Sequence, residues 1–162
     1  MITRLLETNR SPVLLFQRCL LGLVIFPHGA QKLLGWYGGY GFSGTMGFFT
    51  RSLHMPAALA FLVIMAESLG AIALIAGAFT RIAALGITAV MVGAILMVHA
   101  PVGFFMNWFG QQSGEGFEYH LLVLALSLPL ALKGGGLWAL DTTLLAKLPR
   151  HSSSSQCVAG AV

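Results

Sequence analysis

Charge is what this sequence lacks most. Nine Lys or Arg and five Asp or Glu make up 9% of its 162 residues, where a soluble globular domain carries about 25%. The shortage excludes an ordinary soluble domain and a charged disordered chain. With 57% hydrophobic residues, it points to an integral membrane protein. Cysteine is almost as scarce. Cys19 lies in an apolar run and Cys157 in a polar tail, their spacing fits no metal or redox motif, and their expected depths differ, which argues against a disulfide and against thiol chemistry. Signatures for a flavin, a nicotinamide or an iron–sulfur cluster are missing as well. The twenty glycines follow no collagen-like period and fall in the apolar stretches and the loops between them. The net charge of +4 records where loops sit rather than an anionic partner, so no nucleic acid is expected.

What is present is a set of four apolar runs, about Pro12 to Leu34, Ala57 to Phe79, Ile82 to Val98 and Phe117 to Leu132, each near the ~20 residues that cross a bilayer as helix. The expected fold class is all-α, an integral membrane four-helix bundle. The first run carries Arg18, His28 and Lys32 and has no small-residue cleavage site, so it does not read as a cleaved signal peptide. Arg4 and Arg10 precede it, Arg81 lies between the second and third runs, and Lys133, Lys147 and Arg150 follow the fourth. The other side holds only Arg51 and Lys32. The positive-inside rule then puts both termini in the cytoplasm and turns Gly35 to Pro56 and Ala100 to Gly116 outward.

Both outer loops are rich in glycine and aromatics. Trp36, Tyr37 and Tyr40 in the first, and Phe104, Phe105, Trp108 and Phe109 in the second, suit the interfacial belt, and together the loops could form a lid. Ser43 is placed to cap a short helix through Leu53, with Met46, Phe49 and Leu53 towards lipid or the bundle mouth. Leu137 to Leu148 suggests a short interfacial helix, and residues 151–162 a disordered Ser-rich tail.

An ionisable group inside a span costs at least ~2.5 kcal/mol on insertion scales, so each needs a partner or a task. Arg18, Gly22, Gly29 and Lys32 share one helical face with His28 at its flank, and that face must meet protein. Counted from the outer helix ends, Glu67 lies about 15 Å deep, His28 about 9 Å and Arg18 about 24 Å, so Glu67 can pair with either. His99, Glu118, Tyr119 and His120 come to a similar level as His28 and Lys32. An outward polar pocket follows, able to bind an anion or a quinone-like molecule and to move protons. Its expected lining is Arg18, His28, Lys32, Glu67, His99, Glu118 and Tyr119. The bland counterparts are polar helix glue, Lys32 snorkelling to the headgroups, and His54 and His120 facing water. Haem between His28 and His99 is not expected, since two histidines are a weak signal.

The runs RCLLGLVIFPHGAQKLLGWYGGYGFSGTMGFF, MAESLGAIALIAGAFTRIAALGITAVM, VHAPVGFFMN and EYHLLVLALSLPLALKGGGLWALD resemble the DoxX family of small bacterial four-helix membrane proteins, from Arg18 to Asp141. The resemblance implies a four-helix membrane domain over residues 1–150, a bacterial inner-membrane location, and association with thiosulfate-to-quinone oxidoreduction or membrane complexes of oxidative-stress defence. No cofactor is expected to be covalently bound, and any electron transfer would need a borrowed cofactor or a quinone. Two functions stay open. One is a membrane subunit of an oxidoreductase system, with partner subunits, that binds a quinone or a small sulfur-containing anion. The other is a non-catalytic scaffold, or a lipid or small-molecule binding protein, whose buried charges are structural. A transporter is disfavoured unless the chain forms a homo-oligomer, because four spans leave little room for alternating access.

Overall fold

The computed structural model describes residues 2–147. The Ser-rich tail, Arg150 and Cys157 lie outside the described residues. Among those described, the chain is all-helical, with seven α-helices and no strand: α1 (Ile2–Leu6), α2 (Pro12–Leu34), α3 (Gly41–Gly47), α4 (Ala57–Ala76), α5 (Thr80–Ala94), α6 (Glu118–Lys133) and α7 (Leu140–Lys147). Two π-helical turns, Phe48–Ser52 and Ile95–His99, extend α3 and α5. Three helices are long and apolar enough to cross a membrane: α2, α4, and α5 with its π-helical turn. The fourth expected run forms α6, whose 16 residues give about 24 Å of helix.

Local chemistry fixes the boundaries. Pro12 supplies the helical φ at the start of α2, and Gly35, at φ 75°, turns the chain out of the helix while its N–H bonds back to Ala30. The second run was expected to continue to Phe79, but α4 stops at Ala76. Gly77 adopts φ 70° there, and Asp141 accepts hydrogen bonds from Phe79 N (2.5 Å) and Thr80 N (3.0 Å), which starts α5. In the first loop α3 begins at Gly41, ahead of Ser43, so Ser43 is an interior residue and not the cap. Phe49 of that segment is buried with Ala60 and Ile64, and Met46 and Leu53 pack against them. At the chain's end Leu137, Trp138 and Ala139 stay outside the helix, and α7 begins at Leu140.

Helix α2 packs along α4, α4 against α5, α5 against α6, and α6 against α2. Leu21, Ile25, Leu74, Ile87 and Leu130 are fully buried where they meet. Facing outwards are Phe16, Leu23, Leu62, Leu69, Leu85 and Leu122, an apolar surface that an aqueous protein would hide. Among the described residues α2 and α4 form the most extensive helix–helix contact, and it is close-packed. A Cβ on Gly29 would sit 2.7 Å from the Glu67 carbonyl oxygen and from Ser68 Cα, and one on Gly22 would sit 2.9 Å from the Ala71 carbonyl oxygen. Ser68 Oγ donates to the Gly29 carbonyl at 3.1 Å across the same crossing. No side chain fits there, so these two glycines let the backbones touch.

This crossing also sets the relative height of the helices. Beyond Gly29, α2 continues for about 7 Å; beyond Glu67, α4 continues for about 15 Å. Glu67 therefore lies level with His28 and Gly29, so counting inwards from both helix ends overstates the depth between them.

Replacing Gly29 by Ala should lower stability by about 1–3 kcal/mol through overpacking. Gly93→Ala, where an added Cβ meets nothing within 4 Å, should be neutral or slightly stabilising. Thermal unfolding in detergent compares the two, and equal effects would mean that the Gly29 crossing is not tight.

Candidate functional site

The buried polar groups fall into two sets at opposite ends of the helices. At the end near the chain termini, Arg18 is only 2% exposed, and its oxygen partners are all backbone carbonyls. Its Nε donates to Gly135 (2.8 Å), its Nη1 to Leu74 (2.9 Å) and Ile75 (2.5 Å), and its Nη2 to Trp138 (3.2 Å) and Leu137 (3.4 Å). These donors meet carbonyls where α4 ends and where the 134–138 segment turns, so the guanidinium caps a helix C-terminus. Arg81 does likewise for α6, donating to Ala131 (3.2 Å) and Leu132 (2.5 Å), and also to Glu7 (3.1 Å). Arg18 is thus not brought to Glu67 or to the other expected site residues, because its hydrogen-bonding capacity is filled at the far end of α2. Asp141, likewise buried, is held by Phe79 and Thr80 as the cap of α5.

The other set gathers at the opposite end, around a cavity of about 720 Å³ lined by α2, α4, α5, α6 and the two long loops. Glu67, 4% exposed, forms an ion pair there with Lys32, whose side chain is 25% exposed. The ammonium turns inward to the carboxylate instead of snorkelling outward, since among the described residues Glu67 has no other salt-bridge partner. His28 lies one turn below Lys32 on α2, with its ring centroid 6.0 Å from that of Tyr119. Tyr119 and His120 open α6, and His120 stacks on His99 at 4.2 Å between ring centroids. His99 Nδ1 donates to the Glu115 carbonyl at 2.8 Å; a carbonyl can only accept, so this nitrogen carries the proton and Nε2 remains for another partner.

Of the expected residues, the cavity wall holds His28, Lys32, Glu67, His99 and Tyr119. Glu118 stands behind it and accepts from Met106 N at 3.2 Å, which pins the second loop. His120, for which facing water was the alternative, is only 8% exposed and lines the cavity. A readable sign existed: His120 shares one helical face with Val123, Ser127 and Leu130, all buried. Glu115 also reaches the wall, with its carboxylate accepting from Asn107 N at 2.8 Å. Two polar atoms in this cluster, the Tyr119 hydroxyl and His120 Nδ1, are buried with no hydrogen-bond partner among the described residues. Such atoms are costly unless something else bonds them. Among the described residues no cluster of three metal-binding side chains occurs.

These features define a multi-pass, all-helical protein with an apolar exterior and a buried ion pair beside a cavity. Over residues 13–100 the chain matches the DoxX family, and it belongs to that family. It is also similar to a Bacillus subtilis (strain 168) protein named "Putative oxidoreductase CatD", with 30% identity over 127 residues that cover 78% of this chain and 83% of the relative. No solved structure matches the chain.

Removing either member of the ion pair leaves the other charge buried alone. Lys32→Met and Glu67→Leu should each lower stability by about 1–3 kcal/mol, and the double variant should recover at least half of the combined loss. Unfolding in detergent across the four proteins measures the coupling; strict additivity would show that the pair contributes nothing jointly.

Proposed function

We propose that α2, α4, α5 with its π-helical turn, and α6 all cross the bilayer as a four-helix bundle of the bacterial inner membrane. Both termini would be cytoplasmic, residues 1–150 forming one domain. In this arrangement the cavity opens towards the outer leaflet. Basic residues at the terminal end, Arg4, Arg10, Arg81, Lys133 and Lys147, support that orientation. The protein serves as the membrane subunit of an oxidoreductase system and binds a quinone at the polar end of the cavity. The name of the Bacillus subtilis relative supports the link to oxidoreduction.

The observation that carries this reading is the pair of unpartnered buried atoms, the Tyr119 hydroxyl and His120 Nδ1, beside the Lys32–Glu67 ion pair. Quinone carbonyl oxygens accept hydrogen bonds, and the cluster offers donors for them: the Tyr119 hydroxyl, the Lys32 ammonium and the imidazoles of His28 and His120. A bound quinone would take up two electrons from a partner subunit and two protons to give the quinol. His28 and His120 would hold those protons, and His99, bonded to the Glu115 carbonyl near the loops, would connect the cluster to the outer surface. Glu67 balances the Lys32 charge and fixes its direction. A small sulfur-containing anion could use the same donors, but Glu67 beside Lys32 repels an anion, which favours a neutral quinone head.

The rival reading makes these groups helix glue. It fits the terminal end, where Arg18, Arg81 and Asp141 have carbonyl or amide partners, as do Gln17, which bonds Leu126, and Thr88, which bonds Ser127. It leaves the two open atoms of the cavity unexplained.

Quinone binding to the purified protein should fall at least tenfold on His28→Ala and on Glu67→Gln, in variants whose melting confirms folding. Unchanged affinity in both would remove the reading.

A further inference from the structure

Helices α4 and α5 meet closely only along their inner halves. A Cβ on Gly70 would lie 3.8 Å from Ile87 Cδ1, and one on Gly86 would lie 3.4 Å from Ala66 Cβ. Past that level the two helices part, and a Cβ on Gly93 would meet nothing within 4 Å. The facing positions repeat at helical spacing, Leu59, Leu62 and Ala66 on α4 and Gly86, Ala89, Gly93 and Met97 on α5, and all of them line the cavity. Leu59, Leu62, Ala89 and Met97 are also exposed. This exposure and the gap beside Gly93 fit a mouth in the helix wall, where the glycine and alanine face of α5 is too small to close it.

Resting on the reading that its polar end binds a quinone head, we propose that this mouth between α4 and α5 seats the hydrocarbon tail of the same molecule, so that the ligand is a tailed quinone arriving sideways from the bilayer. The polar lining forms one connected cluster, with Lys32 paired to Glu67, His28 beside Tyr119 and His99 against the buried, unpartnered His120, and the α4 and α5 positions at the mouth are aliphatic or glycine. At about 720 Å³ the cavity matches pockets that hold drug-sized ligands and exceeds the needs of a small inorganic anion. A water-soluble ligand would fill the polar end and leave the aliphatic half bare, whereas a tail covers that half and continues into lipid. Small-residue faces also pair helices between chains. A second copy, however, would bring an apolar helix to the mouth and no partner for His120 inside.

The test uses the full-length protein in lipid nanodiscs and two probes, 2,3-dimethoxy-5-methylbenzoquinone, which has no tail, and decylubiquinone. Gly93→Phe should weaken decylubiquinone binding about tenfold and leave the tailless probe within about twofold of wild type, whereas Glu67→Gln should weaken both. Should Gly93→Phe fail to fold, Ala89→Leu adds bulk one turn lower on the same face and is read in the same way. If the Gly93 variant binds both probes as wild type does, or loses both equally, the tail site is overturned while the polar site stands. A wild-type chain that binds neither probe removes the underlying reading as well. A wild-type dimer that Gly93→Phe converts to monomer, with probe binding unchanged, would assign the mouth to a second copy and overturn the tail site.

Discussion

The close approach of α2 to α4 at Gly29 is the constraint from which the rest of the arrangement follows. With no side chain at that position, the α2 backbone rests on Glu67 and Ser68, and this contact fixes the height of one helix against the other. Lys32, three residues beyond Gly29 and on the same side of α2, is thereby carried to the Glu67 carboxylate. A longer separation would leave a carboxylate without a cation in an apolar surrounding, where it would have to be neutralised. The glycine and the ion pair are two parts of one device: the first creates a depth at which two helices share a level, and the second places charge there.

The two ends of the molecule handle buried ionisable groups differently, although each leaves a buried hydroxyl open, Thr80 Oγ1 near the Asp141 cap and the Tyr119 hydroxyl at the cavity. Near the termini, Arg18 fills its donors with carbonyls of the α4 C-terminus and the 134–138 turn, and Asp141 accepts from the first amides of α5. Those groups replace the missing backbone partners of helix ends, which hydrocarbon cannot supply. Around the cavity, His99 and Glu115 also bond backbone groups of the second loop, but the Tyr119 hydroxyl and His120 Nδ1 have no partner among the described residues. An unfilled donor or acceptor in a low-dielectric site is a cost to folding, and such a cost persists most readily where a ligand offsets it.

Much of the fold was legible in the sequence, and the reason is the bilayer itself. A chain with so few charges and runs near twenty residues has little choice but long apolar helices, and Gly35 and Gly77 mark their ends by their need for positive φ. The residues of the cavity were legible to the extent that ionisable groups stand out against apolar helices: His28, Lys32, Glu67, His99 and Tyr119 reach it. Arg18 stood out equally and went elsewhere, because its side chain points back along α2 towards the terminal end, and the segment that receives it, 134–138, is remote in sequence. His120 reads as lying at the level of the pocket but open to water, and only the α6 face it shares with Val123 and Ser127 shows it turned inward. The aliphatic wall could not be read at all. Whether a stripe of small residues closes on a neighbour or stays open depends on how far two helices diverge, which is a property of their crossing and not of either sequence alone.

The register of α5 against α6 shows how this end of the molecule is closed. Helix α5 with its π-helical turn covers 20 residues, about 30 Å, against about 24 Å for the 16 residues of α6. The two run antiparallel, with Thr88 beside Ser127 and His99 beside His120. Because His120, the third residue of α6, sits beside His99, the last of the π-helical turn, the two helices end at a similar level here, and the chain from Ala100 to Phe117 closes this end as loop. Its backbone amides find partners in Gly103, Phe104 and Glu118, through Phe117 N to Gly103 (3.1 Å), Glu118 N to Phe104 (2.9 Å) and Met106 N to the Glu118 carboxylate (3.2 Å). Glu118 is therefore required even though it does not face the cavity: without an acceptor at the top of the short helix, Met106 and the Glu115 carbonyl that orients His99 would lose their position.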